Sequence, residues 1–408
     1  MDIVYEQRLG HRAPPSAGAQ KVQFVIVSSK YCNLRCRYCY EFPDLADRRA
    51  MSHEQLERMY RSIADHYYRK DHPVELEFDW HGGEPLLLGA DFYWRTFDAQ
   101  TRIFADPQVR VTNFVQTNLT VLNERLVDLL WEGFDGLGVS IDLFSGLRVN
   151  TGGKDLQPTV LKNMDRLRQA RIPHGAITVL SRQNLPHLEK IFRFFEGAEI
   201  SPRILAVHRG ASETQNDADL LTEDEVLQAL KDLFELWMES PAPIAVEPLY
   251  SYTERVIWSL ATQETSYYDK SQWEYIYLVD TDGNLYSYSD VFDTAWSHGN
   301  LFEEPLHGLV NGPRHRRVIE AAEARIKSAC SGCRHYGRAC SGYPMAEEST
   351  GRRDPRPSGA GTACTRERGI LDYIEKRLFE LGVVGPNGRI DTTSKHYPRF
   401  DPATRIPV

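Results

Sequence analysis

Three cysteines near the amino end of the chain, Cys32, Cys36 and Cys39, have C-x3-C-x2-C spacing and follow an apolar run at residues 22–27. Three thiolates at this spacing can bind three irons of a [4Fe–4S] cluster and leave the fourth iron open. An open coordination position is what a catalytic metal site keeps for its ligand. The alternatives are a zinc loop or three unrelated buried thiols, but this spacing is not that of a zinc ribbon.

The other four of the seven cysteines, Cys330, Cys333, Cys340 and Cys364, form a second group towards the carboxyl end. Four thiolates that include a C-x2-C pair can bind a closed [4Fe–4S] cluster or a structural zinc ion, and the spacing alone does not separate the two. A disulfide framework would leave one thiol unpaired. The division into three and four therefore favours one open and one closed metal site.

Short apolar runs alternate with amphipathic segments between residues 22 and 238. Strands are predicted at residues 22–27, 76–80, 111–116, 137–141, 175–180 and 203–208. Helices are predicted at residues 52–68, 91–104, 122–131, 158–171, 186–195 and 222–238, with capping boxes at Ser52 and Thr222. Six strand–helix units predict a parallel α/β sheet with right-handed crossovers. The pattern leaves open an eight-unit barrel, an open doubly wound sheet and a partial barrel.

Composition and charge limit the class of protein. The chain has 408 residues, 41% of them hydrophobic, and a formal net charge of −9, so there is no electrostatic case for nucleic-acid binding. No apolar stretch approaches the ~20 residues that a membrane span needs, and residues 1–20 lack a signal-peptide core. We therefore expect a cytoplasmic protein with reduced thiols and no nucleic-acid or membrane partner.

The first cysteine group, with Tyr38 directly before its last cysteine, and the segment Gly82-Gly83-Glu84-Pro85 resemble the signature of radical S-adenosylmethionine (SAM) enzymes. The resemblance implies a partial (β/α)6 TIM-like barrel. It also implies that the first cysteine group binds a [4Fe–4S] cluster whose open iron binds the amino and carboxylate groups of SAM.

The resemblance further implies which residues bind SAM at the carboxyl ends of the strands, where barrels of this kind have their active sites. They are Tyr38, Gly82, Gly83, Glu84, Pro85, Asn118, Ser140, Asp142 and Arg148. The Gly-Gly-Glu-Pro segment would bind the SAM amino group and Arg148 its carboxylate. The alternatives are a plain strand–helix turn for that segment, helix caps for Asn118, Ser140 and Asp142, and a surface ion pair for Arg148. Relatives often continue Asp-Gly-Pro at this place, whereas here Leu143 follows Asp142.

A predicted β-hairpin at residues 275–288 turns at Asp282-Gly283. With Gly299-Asn300 and the second cysteine group, it resembles the SPASM extension of peptide-modifying radical SAM enzymes. The resemblance implies one auxiliary [4Fe–4S] cluster, with zinc as the alternative. A second auxiliary cluster is not expected, because Tyr288 and Pro344 stand where relatives have cysteines. In sulfatase maturases an aspartate base follows the hairpin cysteine. Ser289 stands there in this chain, so Asp290 and Asp293 are the candidate catalytic bases.

We expect four regions: an arm at residues 1–20, the barrel at 21–240, a bridging aromatic-rich region with the hairpin at 241–310, and the SPASM-type domain and tail at 311–408. The function implied is generation of a 5′-deoxyadenosyl radical that oxidatively modifies a ribosomally synthesised precursor peptide, by installing a side-chain crosslink. An electron donor of flavodoxin or ferredoxin type is an implied partner, and a separate leader-peptide-binding protein is another candidate.

Three alternatives to a crosslinking enzyme remain. The first is formylglycine formation in a sulfatase, as in the anaerobic sulfatase maturases. The second is a radical SAM dehydrogenase acting on a small molecule. The third is a non-catalytic iron–sulfur or zinc scaffold, which would not need the SAM-binding segments.

Overall fold

A computed structural model of the chain describes residues 19–207, 217–262, 264–272, 274–287, 292–347 and 364–398. In these ranges no helix is long and apolar enough to cross a membrane. Most of the expected amino-terminal arm, the tip of the hairpin's second strand and residues 348–363 lie outside the described part of the chain.

Six parallel strands pair in the order of the chain, and a helix follows each of them. The strands are β1 Gln20–Ser29, β2 Val74–Gly82, β3 Val109–Thr117, β4 Gly136–Ser140, β5 Gly175–Leu180 and β6 Pro202–Ala206. The helices are α1 His53–Tyr67, α2 Ala90–Ile103, α3 Glu124–Glu132, α4 Gln157–Gln169, α5 Leu188–Ala198 and α6 Glu223–Met238. The predicted α/β fold with a partial barrel is confirmed, and the ends of its elements differ by a few residues from those predicted.

Both predicted capping boxes are present. The Ser52 hydroxyl accepts from the Gln55 amide, and the Gln55 side chain accepts from the Ser52 amide. Thr222 and Glu225 make the same reciprocal pair at the start of α6. Each box satisfies two backbone donors that a helix start otherwise leaves without a partner, so these residues determine where the helices begin.

The hairpin extends the barrel sheet. Its strands are β7 Ile276–Val279 and β8 Asn284–Ser287, followed by β9 Gly299–Asn300. The strand β7 pairs in parallel with β1, whose other neighbour is β2, and β8 and β9 continue antiparallel. The result is one nine-stranded sheet in the order β6-β5-β4-β3-β2-β1-β7-β8-β9. Because β7 is parallel to β1, the residues after β7 lie at the same edge of the sheet as the first cysteine group.

The two faces of the sheet differ in character, as β2 illustrates. Its Phe78 and Trp80 are fully buried against helices, with edge contacts from Tyr60 on α1 and Tyr93 on α2. The alternating residues Glu77, Asp79 and His81 are partly exposed on the other face. A strand with a period of two thus separates a helix-covered core from a polar concave face.

The remaining helices are α7 Leu249–Ala261, α8 Leu306–Val310, α9 Pro313–Cys330, α10 Tyr343–Ala346 and α11 Thr365–Glu380. The helix α11 packs against α6 and α7, and Arg377 and Tyr373 both bond to Glu235 at 2.7 Å. Cys330 ends α9 and Cys364 caps the start of α11. The packing of α11 on the barrel therefore determines where the last cysteine lies. The division into four regions stays a prediction.

Candidate active site

The loop after β1 carries Cys32, Cys36 and Cys39 as free thiols. Cys32 and Cys36 are buried with Leu34 and Leu45. The Cys32 sulfur accepts from the Leu34 amide at 3.3 Å and from Asn118 Nδ2 at 3.6 Å. Burial raises the pKa of Cys32 to about 11. Because thiols in this environment stay neutral unless a cation binds them, and a coordinating thiol is deprotonated outright, the three-thiol loop fits a metal cluster.

Gly82 and Gly83 allow the end of β2 to lie directly against the chain that enters the cysteine loop. A Cβ on Gly82 would lie 2.5 Å from the Ser29 carbonyl oxygen, and one on Gly83 would lie 2.3 Å from the carbonyl oxygens of Lys30 and Tyr31. The Gly83 amide instead donates to Ser29 at 3.0 Å. Gly82 also has a φ of 109°, which side-chain-bearing residues rarely adopt. These two positions therefore require glycine for backbone approach.

The Glu84 carboxylate joins the ends of β2 and β3. It accepts from Thr117 Oγ1 at 2.7 Å, from the Asn118 amide at 2.7 Å and from the Leu86 amide at 3.0 Å. Glu84 is only 2% exposed, so these bonds form away from bulk water. This carboxylate therefore positions the backbone on which Asn118 stands; that Gly82, Gly83, Glu84 and Pro85 bind SAM stays a prediction.

Tyr38, Asp142 and Arg148 form a buried group beside the cysteines. The Tyr38 hydroxyl bonds to the Asp142 carboxylate and accepts from Arg148 Nη1 at 2.8 Å. The second Asp142 oxygen accepts from the Val179 amide at 2.7 Å. Arg148 Nη1 lies 3.4 Å from Asp142, and its Nε is buried with no hydrogen-bond partner in the described chain. Arg148 is therefore a largely buried cation, with its side chain 13% exposed and one donor still available to a ligand. Its ion pair with Asp142 lies inside the protein and not at the surface.

Asn118 and Ser140 lie at the ends of β3 and β4. Asn118 donates to Asn33 of the cysteine loop at 3.0 Å, and its oxygen accepts from the Thr120 amide. Ser140 accepts from Gln116 Nε2 at 2.6 Å, on the concave face. The structure thus brings Asn118 to the cysteine loop, while Ser140 lies one strand further along; their roles in SAM binding stay predictions.

The two proposed bases have different outcomes. Asp290 lies outside the described residues. Asp293 is exposed and caps the short helix Thr294–Trp296 by accepting from the Ala295 amide at 3.0 Å. The preceding residue, Phe292, stacks on Tyr40 with ring centres 6.0 Å apart. The segment therefore reaches the cysteine loop, but the Asp293 carboxylate is engaged as a cap, and its catalytic role stays a prediction.

Lys30, Glu41 and Asp280 form a charged group that the sequence did not reveal. Lys30 Nζ lies 3.0 Å from Asp280 and 4.3 Å from the centre of the Phe292 ring. Glu41 is 3% exposed, and burial raises its pKa to about 8 although the Lys30 charge opposes this. Asp280 directly follows β7, so only the parallel pairing of β7 with β1 brings it to Lys30. No local pattern could have indicated this contact.

The concave face also carries carboxyl groups that the sequence interpretation did not single out. Burial raises the pKa of Glu77 to about 8, and that of Asp79 to about 7. Burial lowers the pKa of His81, one step nearer the site, to about 4. These β2 residues are partly solvent-exposed yet poorly hydrated, as expected for groups that line a concavity. The sequence signal that could have identified these residues is their alternation with the apolar Phe78 and Trp80 along β2.

The second cysteine group surrounds a cavity of about 320 Å³. Cys330, Cys333, Cys340 and Cys364 all line it, and the turn is closed by the Cys333 amide bonding to the Cys330 carbonyl at 3.0 Å. The four thiols therefore face one space, as the ligands of a single metal centre would.

Comparison with known proteins agrees with this geometry. The model of the Radical SAM superfamily matches residues 26–195. A cysteine-type anaerobic sulfatase-maturating enzyme of Clostridium perfringens is 22% identical, over 87% of this chain and 96% of that protein. The solved structure of anSMEcpe with bound AdoMet and Cp18Cys peptide has a TM-score of 0.66 and 18% identity, covering 88% of this chain and 98% of that one.

A second solved structure, Streptococcus suis SuiB bound to precursor peptide SuiA, has a TM-score of 0.54 and 14% identity, covering 74% of this chain and 67% of that one. At these identities the solved structures establish the fold. The family model spans the cysteine loop, the Gly-Gly-Glu-Pro segment and the Asp142–Arg148 pair, which are the parts that surround the first metal site. The chain is therefore a radical SAM enzyme, with SAM and [4Fe–4S] clusters as its cofactors.

Proposed function

We propose that this enzyme oxidises a serine or cysteine side chain of a peptide or protein substrate to formylglycine, in the manner of a sulfatase maturase. The observation that carries the proposal is the similarity to a sulfatase-maturating enzyme along 87% of the chain, which is more than the barrel alone. The likeness to a maturase structure that holds a peptide supports a peptide substrate.

When bound, SAM and the clusters supply a 5′-deoxyadenosyl radical that removes a hydrogen atom, and an acceptor for the electron that leaves afterwards. The chain's own residues supply orientation and exclusion of water. We propose that Arg148 binds the SAM carboxylate, which is supported by its buried Nε without a hydrogen-bond partner in the described chain. Asp142 and Tyr38 hold that guanidinium in position, so they act on the cofactor through Arg148.

Oxidation of the substrate side chain also releases a proton, which needs a base. We propose Asp280 for this role, because it is a buried carboxylate at the edge of the sheet that carries the cysteine loop. Its contact with Lys30 at 3.0 Å holds it beside that loop. Asp282, which is exposed and bonds to the Asn284 side chain in the hairpin turn, offers a matched control.

Asp280→Asn should lower product formation about 100-fold or more, as expected for loss of a base, while SAM cleavage continues. Asp282→Asn should leave both unchanged. Equal product yields from the Asp280 variant and the wild type would exclude Asp280 as the base without affecting the assignment of the product.

The product is tested with reduced enzyme, SAM and a synthetic peptide containing one serine or cysteine. Formylglycine is an aldehyde, so a hydrazide probe should label the product, and deuterium at the substrate β-carbon should appear in 5′-deoxyadenosine. A peptide that has lost two hydrogens but does not react with the hydrazide would overturn the proposal.

A peptide that has lost two hydrogens but does not react with the hydrazide would support a second candidate function, the formation of a side-chain crosslink. Tyr288 and Ser289 favour that candidate, since sulfatase maturases have a cysteine and a catalytic aspartate at the matching places. A peptide substrate with an aromatic residue near its target would serve as the probe, and its product would show a new bond between two side chains in fragmentation spectra.

A further inference from the structure

A second group of potential metal ligands lies away from both cysteine groups. Glu274, His298 and His315 each offer one ligand atom, and these atoms all lie within 4.8 Å of one another. Their exposed fractions are 5%, 2% and 4%. They come from three segments: the residue pair before β7, the residue before β9, and the first turn of α9.

The hydrogen bonds of His315 determine which ring nitrogen faces Glu274. Nδ1 of His315 lies 2.7 Å from the Val310 carbonyl oxygen, which can only accept, so Nδ1 carries the proton. In a neutral ring, Nε2 would then carry a lone pair and no proton. It nevertheless lies in close contact with a Glu274 carboxylate oxygen. Two acceptors do not attract each other. A proton lies between the two atoms at this contact. A zinc ion bound to both at ~2.0–2.2 Å would take the place of that proton and move the two atoms apart.

His298 is oriented in a similar way. Its Nε2 lies 3.1 Å from the Ser287 hydroxyl, and its Nδ1 is buried with no partner in the described chain. The rings of His298 and His315 are 4.7 Å apart. A metal-binding histidine usually has its second nitrogen held by a carbonyl, carboxylate or similar polar group. Both rings meet this condition, and a buried nitrogen without a partner is otherwise unfavourable.

The surrounding charges also call for a cation. Lys270 Nζ lies 2.9 Å from Glu274 and 2.7 Å from Glu347, and all three side chains are buried. Two carboxylates and one ammonium leave one negative charge. Buried charge of this kind is normally paired or bound to metal. Lys270 contacts Oε1 of Glu274. The other carboxylate oxygen, Oε2, faces His315.

We propose that Glu274, His298 and His315 bind one zinc ion. Two imidazole nitrogens and one carboxylate oxygen form a donor set that zinc accepts. Three protein ligands leave the fourth position of a tetrahedral zinc ion to a water molecule. The three residues are buried, and Glu274 precedes β7, at the edge of the sheet opposite the cysteine loop. We therefore infer a structural role for the ion. The ion joins the start and end of the hairpin region to α9, the helix that ends at Cys330. It thereby holds the hairpin and the second cysteine group in one arrangement, and this inference does not depend on which peptide product the enzyme makes.

The test uses the complete protein with its clusters reconstituted without oxygen, so that the thiols are occupied by iron. Zinc is then replaced by cobalt(II), and the ligands of cobalt are identified by X-ray absorption at the cobalt edge, because the iron–sulfur clusters absorb visible light too strongly for cobalt bands to be read. One equivalent of cobalt with only nitrogen and oxygen ligands is the expected result. Cobalt bound by sulfur, or not bound at all, would overturn the proposal.

Variants identify the ligands independently. His298→Ala and His315→Ala should each lose one equivalent of zinc by elemental analysis and keep their iron. His174→Ala is the control, since His174 is also buried but bonds only to the Ile172 carbonyl in the described chain. Full zinc content in both ligand variants would contradict the proposal, and if they fail to fold, the wild-type cobalt spectrum still decides.

Discussion

Replacement of Glu84 tests whether this carboxylate positions the backbone or binds SAM directly. Its Oε1 accepts from Thr117 and the Leu86 amide, and its Oε2 accepts from the Asn118 amide. In Glu84→Gln an amide NH2 replaces one oxygen. If the remaining oxygen keeps Thr117 and Leu86, the Asn118 amide faces another donor. One unsatisfied buried donor costs about 1–3 kcal/mol.

Glu84→Ala removes both acceptors, so the Leu86 and Asn118 amides lose their partners while the Thr117 hydroxyl can rotate. Two unsatisfied backbone donors cost about 2–6 kcal/mol. The free energy of unfolding, measured by urea denaturation without oxygen, should therefore fall in the order wild type, Gln, Ala. SAM affinity should fall in the same order, because Asn118 and the cysteine loop move together.

One control variant and one further outcome separate the alternatives. Thr117→Val removes the hydroxyl that accepts from the Leu119 amide at 2.9 Å, so one backbone donor loses its partner. Both Glu84 oxygens remain for the Leu86 and Asn118 amides, so this change should cost less than Glu84→Ala, which leaves two donors unsatisfied. A Glu84→Gln enzyme with wild-type stability and strongly weakened SAM binding would refute the positioning argument and show that the carboxylate contacts SAM.

Three further predictions follow from the metal sites and the concave face. Cys36→Ala should abolish SAM cleavage, because the open-iron cluster loses one of three ligands, and retained formation of 5′-deoxyadenosine would contradict the assignment. Cys333→Ala should retain SAM cleavage but lose product, or lose stability in the region around the 320 Å³ cavity; normal product yield would make the second cluster dispensable. Burial raises the pKa of Asp79 to about 7, so the folded state binds its proton more tightly than the unfolded state, and stability falls as pH rises from about 4 to about 7. Asp79→Asn should therefore raise the unfolding free energy at about pH 8 and leave it unchanged near pH 4; an equal effect at both pH values would show that the ionisation of Asp79 is not the cause.

Much of the fold and part of the site could be predicted because they depend on short-range chemistry. The spacing of Cys32, Cys36 and Cys39 limits which metals can bind, whatever the rest of the chain does. Ser52 and Thr222 define helix starts through bonds that span three residues. The Gly82-Gly83 pair was predicted from the sequence to belong to a SAM-binding segment or a strand–helix turn. Only the structure showed that the chain at Ser29 to Tyr31 lies directly against it.

Contacts between distant segments depended on tertiary structure. A two-stranded hairpin has free edges, and nothing local states which edge another strand will cover. The pairing of β7 with β1 placed Asp280 beside Lys30 and brought the hairpin to the cysteine loop. The same packing gathered Glu274, His298 and His315 from three segments. The local sequence therefore determined the cysteine chemistry and the strand–helix units. The pairing of one sheet edge decided which charged side chains meet, because residues so far apart in the chain are brought together only by tertiary packing.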